Sequence, residues 1–309
     1  MKKRVLLALV AALMLALSSA SAENALPDVQ AGAPLYSNLG DESSLSAVAA
    51  AMKSGGLNAE AVDAVCGWVR DYNRDQAENP AYAIVSGFQP VREGAVNYGD
   101  AETWTEFNWQ RWKRAKRNYY DVLCRSTAYF LLRDQIDVAT RLPEDQWARD
   151  GLLASDFDAF WGPEADESVD ANPDLSALSE DEIAAYATLF APIPDGGEDT
   201  RAEIAASMNR AFEARGVRFP QGGAGLMMVC YAHPGDGQIG VRHAAVCIKL
   251  DAGCLLFEKY GPDYPYQATL FATAAEAGAY LREAVVADCA RYGSDAPEVI
   301  AVLLNGQLI

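Results

Sequence analysis

Asp121-Val122-Leu123-Cys124-Arg125-Ser126-Thr127-Ala128-Tyr129-Phe130-Leu131-Leu132 is the stretch on which the reading of the fold turns. Asp121 stands ahead of an apolar run. It reads as the N-cap of a helix that continues to about Ala139, with Cys124 in the first turn. Unpaired N–H groups and the helix dipole favour negative charge at such an end, so the thiol is expected to ionise readily and act as a nucleophile. The same pattern also suits a small core residue, because free cysteine is among the most buried residue types.

Upstream of this stretch the pattern is helical. Residues 43–79 form two helices divided by Gly55-Gly56: Leu45, Val48, Ala49 and Met52 share a face of the first, and Ala61, Val62, Val65, Trp68, Val69 and Tyr72 mark the second. A loop over 80–100 leads to a helix over 103–117 that carries Trp104, Trp109 and Trp112 with Arg111, Lys113, Arg114, Lys116 and Arg117. That basic cluster suits either a solvated face or a contact for an anionic group. Downstream, an acidic, proline-broken stretch over 143–197 retains Trp147, Phe157, Phe160 and Trp161, so it is expected to fold. Ser179 and Glu182 form a capping box for a helix to about Phe190, and Thr200 to Arg215 is another helix, ended by Gly216.

The period then changes from helical to alternating. Strands are predicted over 226–231, 239–250 and 254–260, the last two joined as a hairpin around Asp251-Ala252-Gly253. An extended 264–272, a helix over 274–291 and a strand over 299–304 complete the chain. Helices first and an antiparallel sheet second imply an α+β fold.

Composition bounds the function. The 309 residues carry a formal net charge of −18, which argues against nucleic acid and anionic membrane surfaces as partners and suits a soluble protein. Lys2-Lys3-Arg4, an apolar run over 5–17 and Ala20-Ser21-Ala22 read as a signal peptide spanning 1–22, with no cysteine after the cleavage site to take a lipid anchor. No later apolar run reaches the roughly 18 residues of a membrane span. The protein is thus expected to be secreted or extracytoplasmic. Six cysteines show no compact framework, although Cys247 and Cys254 flank the hairpin turn. The acidic stretch around Asp170 has leucine at 175, where a calcium loop needs glycine, so no metal is expected there.

A thiol hydrolase needs an imidazole to exchange a proton with the sulfur, and a third group to orient that imidazole. Only two histidines exist. His233 precedes Pro234-Gly235 in a turn. His243 lies on a strand among small residues and is the stronger candidate. Two isolated histidines without ligand spacing do not make a zinc site. If the hairpin turn has two residues, Leu250 faces Gly253 and Ala245 faces Glu258, which puts His243 and Glu258 diagonally on one sheet face. Glu258 follows three apolar residues, where it needs a partner; Lys259 and Arg125 are the alternatives to His243.

These segments carry a resemblance. Asp121-Val122-Leu123-Cys124-Arg125, His243-Ala244-Ala245-Val246, Phe257-Glu258-Lys259 and Pro265-Tyr266-Gln267 together make the chain similar to an exported bacterial family, number 4300 in the domain-of-unknown-function series, over most of the mature chain. That family looks like a distant branch of the papain-like group that includes NlpC-type cell-wall peptidases. The resemblance implies a papain-like core over 119–309, its nucleophile helix packed on an antiparallel sheet. A helical region over 23–118 precedes the core, and a helical insertion interrupts it at about 140–216. It implies Cys124 as nucleophile, His243 as base and Glu258 as orienting residue, without a cofactor. Tyr120, Arg125, Tyr266 and Gln267 are the expected binding residues, Tyr120 as a second oxyanion donor. The Asp-Cys-Ser-Gly signature of NlpC-type enzymes is absent, since Arg125 and Ser126 follow the cysteine. The expectation is an exported hydrolase of an amide bond in a peptide or peptidoglycan fragment. The alternative is a non-catalytic envelope protein that binds peptide or glycan on the same scaffold.

Overall fold

The computed structural model describes residues 25–76, 84–91, 119, 121–148, 151–162, 169–232, 237–261, 264–291 and 295–309. The expected signal peptide, the basic helix over 103–117, Tyr120 and His233 lie outside these residues. Among them are seven α-helices: α1 (Glu42–Ser54), α2 (Ala59–Gln76), α3 (Cys124–Leu132), α4 (Ala154–Trp161), α5 (Glu180–Phe190), α6 (Arg201–Ala214) and α7 (Ala274–Arg291). The strands are β1 (Leu35–Ser37), β2 (Gln89–Pro90), β3 (Asp137–Val138), β4 (Ile193–Pro194), β5 (Val217–Arg218), β6 (Ala224–Ala232), β7 (Gln238–Lys249), β8 (Cys254–Lys259), β9 (Tyr266–Phe271), β10 (Ala301–Leu304) and β11 (Gln307–Leu308).

The fold is a mixed α+β one, built on an antiparallel sheet in the order β11-β10-β6-β7-β8-β9-β1-β2, with β4 added beside β7. The β7–β8 turn sets its register. Leu250 N–H donates to the Gly253 carbonyl at 3.0 Å, which leaves Asp251 and Ala252 as the turn. Gly253 has φ +95°, and a Cβ there would lie 2.2 Å from the Phe271 carbonyl oxygen, so glycine is required. Ala245 then faces Glu258, the predicted pairing.

Strict alternation divides the sheet between two cores. Leu226, Met228, Val246, Leu255 and Phe257 face the larger core with the residues of α1 to α6. Met227, Val229, Ala245, Leu256 and Val302 face the opposite side, where Ala277, Leu281 and Val285 of α7 cover them. Covering on both faces explains why β6 is a continuous apolar run. The N-terminal region also enters the sheet, since β1 pairs with β9 through Leu35↔Leu270 and Tyr36↔Thr269. No described helix is long and apolar enough to cross a membrane.

Several local signals act as expected. Asp41 caps α1 by accepting from Ser44 N–H at 2.9 Å, and the Ser179–Glu182 capping box opens α5. Two expectations fail at α3. Its N-cap is Leu123, not Asp121. The Leu123 N–H donates to Ser126 Oγ at 2.9 Å, so the cap bond comes from inside the helix. The helix also stops at Leu132, short of Ala139. Asp134 and Gln135 instead reach the α1–α2 connection, at Asn58 and the Gly56 carbonyl, each at 2.8 Å. Asp137 and Val138 pair with β5. Tertiary partners thus outcompete about two more helical turns.

Candidate active site

Cys124 is the first residue of α3. The opening N–H groups of a helix have no acceptor within it, and they concentrate positive potential beside the sulfur. Thr127 N–H donates to the Leu123 carbonyl at 2.9 Å and closes the first turn.

The imidazole comes from β7 at an irregularity. Val229 of β6 faces His243, but Cys230 faces Val241, so Arg242 is an extra residue in β7. A bulge of this kind bends the strand and re-aims the neighbouring side chain. It coincides with a gap on the other edge of β7. There β8 pairs only from Ala245 onward and β4 only at Gln238 and Ile239.

His243 Nε2 lies 2.7 Å from Glu258 Oε2. This leaves Nδ1 as the ring nitrogen available to the thiol, and the Cys124 side chain and the His243 ring lie close enough to shift each other's titration. Of the partners open to Glu258 in the sequence, His243 is therefore the one engaged. The Tyr260 ring covers the imidazole, with centroids 4.9 Å apart and planes tilted by 33°. Behind the carboxylate, Gln267 Nε2 reaches Glu258 Oε1 at 3.5 Å, Thr269 Oγ1 at 3.0 Å and the Tyr280 hydroxyl at 2.7 Å. The polar chain runs from α3 across β7, β8 and β9 to α7.

Burial is severe: Cys124, His243 and Glu258 are 4%, 3% and 2% exposed. Burial by itself pushes the Cys124 thiol up, but the hydrogen bond and charge of His243, helped by Arg125, outweigh it and bring the thiol below its ordinary value. Burial likewise opposes the charged imidazole. Cys124 and then Glu258 overcome it and raise His243 to about 10. Both directions describe one state, a thiolate beside an imidazolium whose far side rests on a carboxylate.

Three of the expected binding residues have other occupations. Arg125 is 5% exposed. Its Nε donates to Asp156 Oδ2 at 3.0 Å, its Nη1 to the carbonyls of Val241 and Arg242 at 3.1 and 3.3 Å, and its Nη2 to the Leu152 carbonyl at 2.8 Å and again to Asp156. All five donors of the guanidinium are committed, so it does not offer a fork to a ligand. Tyr266 is a core residue, fully buried against Phe257 and Tyr72. Gln267, 3% exposed, supports Glu258 and does not line a surface. Lys259 also turns inward, its Nζ 3.9 Å from the Tyr72 ring centroid and bonded to the Tyr264 carbonyl.

The sequence reading missed Asp156, the bulge and Tyr260. Asp156 had a signal: it shares the buried face of α4 with Phe157 and Phe160, and a carboxylate on such a face needs a cation. Tyr260 shares its parity with Glu258, two residues on from it. The bulge had no local signal, because it exists only in the pairing with β6.

No curated protein and no solved structure matches the chain. The pattern of one family, described as "Domain of unknown function (DUF4300)", matches residues 35–288. These run from the first strand of the sheet almost to the end of α7 and include Cys124, His243, Glu258 and Gln267; the protein belongs to this family.

Proposed function

We propose that the protein is an exported thiol hydrolase with a papain-like core, and that it cleaves an amide bond. The observation that carries this reading is the placement of Cys124 at a helix N-terminus beside the His243 ring, whose far nitrogen lies 2.7 Å from Glu258. The thiolate attacks the carbonyl carbon, and the Cys124 backbone N–H stabilises the resulting oxyanion. His243 gives its Nδ1 proton to the departing amine, which leaves a thioester. Water then adds to the thioester and loses its proton to His243. The acid product departs and the thiolate–imidazolium pair is restored. Glu258 keeps the imidazole in one orientation and stabilises its charge throughout.

Export rests on the charged start, the apolar run over 5–17 and Ala20-Ser21-Ala22. The choice of peptidoglycan stem peptides as substrate class rests on the likeness to NlpC-type peptidases, which is an analogy of family. The test is incubation of the purified mature protein with peptidoglycan fragments, followed by mass analysis of the products, beside Cys124→Ala. New termini with the wild type and none with the variant support the reading. It is overturned if no amide bond is cut and Cys124 reacts with iodoacetamide no faster than an ordinary thiol at neutral pH.

One observation favours a second reading. A cysteine only 4% exposed is poorly placed to receive a polymer, and a non-catalytic protein that holds peptide or glycan needs no accessible thiol. Equal binding of a stem peptide by wild type and Cys124→Ala, without turnover in either, would select it.

A further inference from the structure

We propose that Arg125 is a positioning residue of this site, which locks the helix that carries Cys124 to the bulged strand that carries His243. The inference rests on the hydrolase reading above and deepens it. Arg125 follows the nucleophile directly in the chain, and Arg242, whose carbonyl it holds at 3.3 Å, directly precedes the base. The path from sulfur to imidazole therefore crosses one guanidinium and one residue on either side of it. The carbonyls of Val241 and Arg242 lie in the stretch of β7 between the β8 and β4 pairings, so the guanidinium stands where a strand would otherwise continue the ladder.

The fork itself is held. Asp156 on α4 takes Nε and Nη2, and the Leu152 carbonyl takes the remaining Nη2 donor. The Tyr186 hydroxyl of α5 lies beside the same carboxylate, and burial and then Asp156 push its pKa well above the ordinary value. A buried arginine that loses one of these partners is left with an uncompensated charge, so the arrangement is favoured over displaced ones. It fixes two carbonyls of one strand at once, which an ammonium on a flexible stem cannot reproduce. The arrangement also makes the α4 region part of the active-site scaffold, because Asp156 and Leu152 complete the clamp.

The experiment compares Arg125→Lys and Asp156→Asn with Leu175→Ala, which opens a cavity in the same core at a residue that is not one of the guanidinium's hydrogen-bond partners. Thermal unfolding measures the structural cost of each. The pH dependence of the thiolate ultraviolet absorbance, read against Cys124→Ala, measures the site. The expected result is a thiolate midpoint displaced upward by about one unit in Arg125→Lys, a tenfold loss of thiolate below the midpoint, and a smaller upward displacement in Asp156→Asn, because the lost carboxylate itself raised the thiol. Iodoacetamide labelling of Cys124 should fall in step. Leu175→Ala should lose thermal stability without moving the midpoint. A folded Arg125→Lys, which keeps the charge, with the wild-type midpoint overturns the proposal. So does equal displacement in Leu175→Ala, or failure of both clamp variants to fold, which would make Arg125 a fold determinant. If the wild-type thiol itself titrates at the ordinary value, the hydrolase reading fails on its own account. A low wild-type midpoint unmoved in the clamp variants removes only the role of Arg125.

Discussion

Cys124 and Cys230 are both buried, at 4% and 0% exposure, yet their thiols shift in opposite directions. Cys230 lies toward the end of β6 among apolar neighbours, where burial alone acts and pushes its thiol up to about 12. At Cys124 burial pulls the same way, and the imidazole of His243 reverses it. Low dielectric magnifies whatever charge is nearby. With no partner it suppresses ionisation, and with a fixed cation it favours the ion pair. Two cysteines in apolar runs thus differ not in burial but in what the opposite element brings to them.

The sharpest way to break this contrast is His243→Ala. Cys124 should then behave like Cys230, with burial dominant. Its alkylation at neutral pH should fall about a thousandfold, within the range for loss of an acid–base partner, and amide hydrolysis should vanish. The check is iodoacetamide labelling with peptide mass analysis. Labelling at the wild-type rate would mean that the helix terminus alone activates the sulfur.

Glu258→Gln should act next most strongly. Losing the carboxylate removes one support of the charged imidazole, so the His243 pKa should fall below about 10. The imidazolium contributes stability that is complete below its ordinary 6.5 and lost as pH rises through about 10. The thiolate contributes stability that is complete above its ordinary 9.0 and lost as pH falls through its lowered value. Activity should therefore follow a bell whose alkaline limb lies near pH 10. In Glu258→Gln that limb should move to lower pH, with turnover about a hundredfold lower. An unmoved alkaline limb would mean that Glu258 does not tune the base.

Cys230→Ser tests the other side of the contrast. A hydroxyl among the apolar neighbours of position 230 costs about 1–3 kcal/mol if it finds no partner, seen as a lower denaturation midpoint. In the wild type, Cys230 should label only in denaturant, as expected for a thiol without a cation. Labelling of Cys230 under native conditions would mean that burial without a cation does not suppress a thiol, and the contrast with Cys124 would fail.

The parts of this site that are legible in the sequence are those set by local period. Asp251-Ala252-Gly253 and the alternation on either side fix the pairing of Ala245 with Glu258, and with it the diagonal placement of Glu258 to His243. Cys124 reads correctly as a first-turn residue even though its cap does not, because Leu123 takes that role through Ser126. What escapes is set by distant partners. The helix end at Leu132 depends on Gly56 and Asn58, and the bulge at Arg242 depends on a count of residues in β6. The engagement of Arg125 depends on Asp156, 31 residues away on another helix. A charged residue beside a nucleophile looks like a ligand hand until the fold supplies a buried partner for it.

The smallest expected effect concerns the support behind Glu258. Gln267 stands between the Glu258 carboxylate and the Tyr280 hydroxyl. Its contact with Glu258, at 3.5 Å, is long for a hydrogen bond. The carboxylate is already fixed through its other oxygen by the 2.7 Å contact with His243. Gln267→Ala should therefore loosen Glu258 without freeing it, at a cost of about 1 kcal/mol, or about fivefold in turnover. Tyr280→Phe should cost less, because Thr269 still accepts from the amide at 3.0 Å. Steady-state rates of the two variants and of the double variant check this. If Gln267→Ala matched Glu258→Gln in size, the contact between them would be stronger than its length implies, and the polar chain to α7 would belong to the catalytic unit rather than to its support.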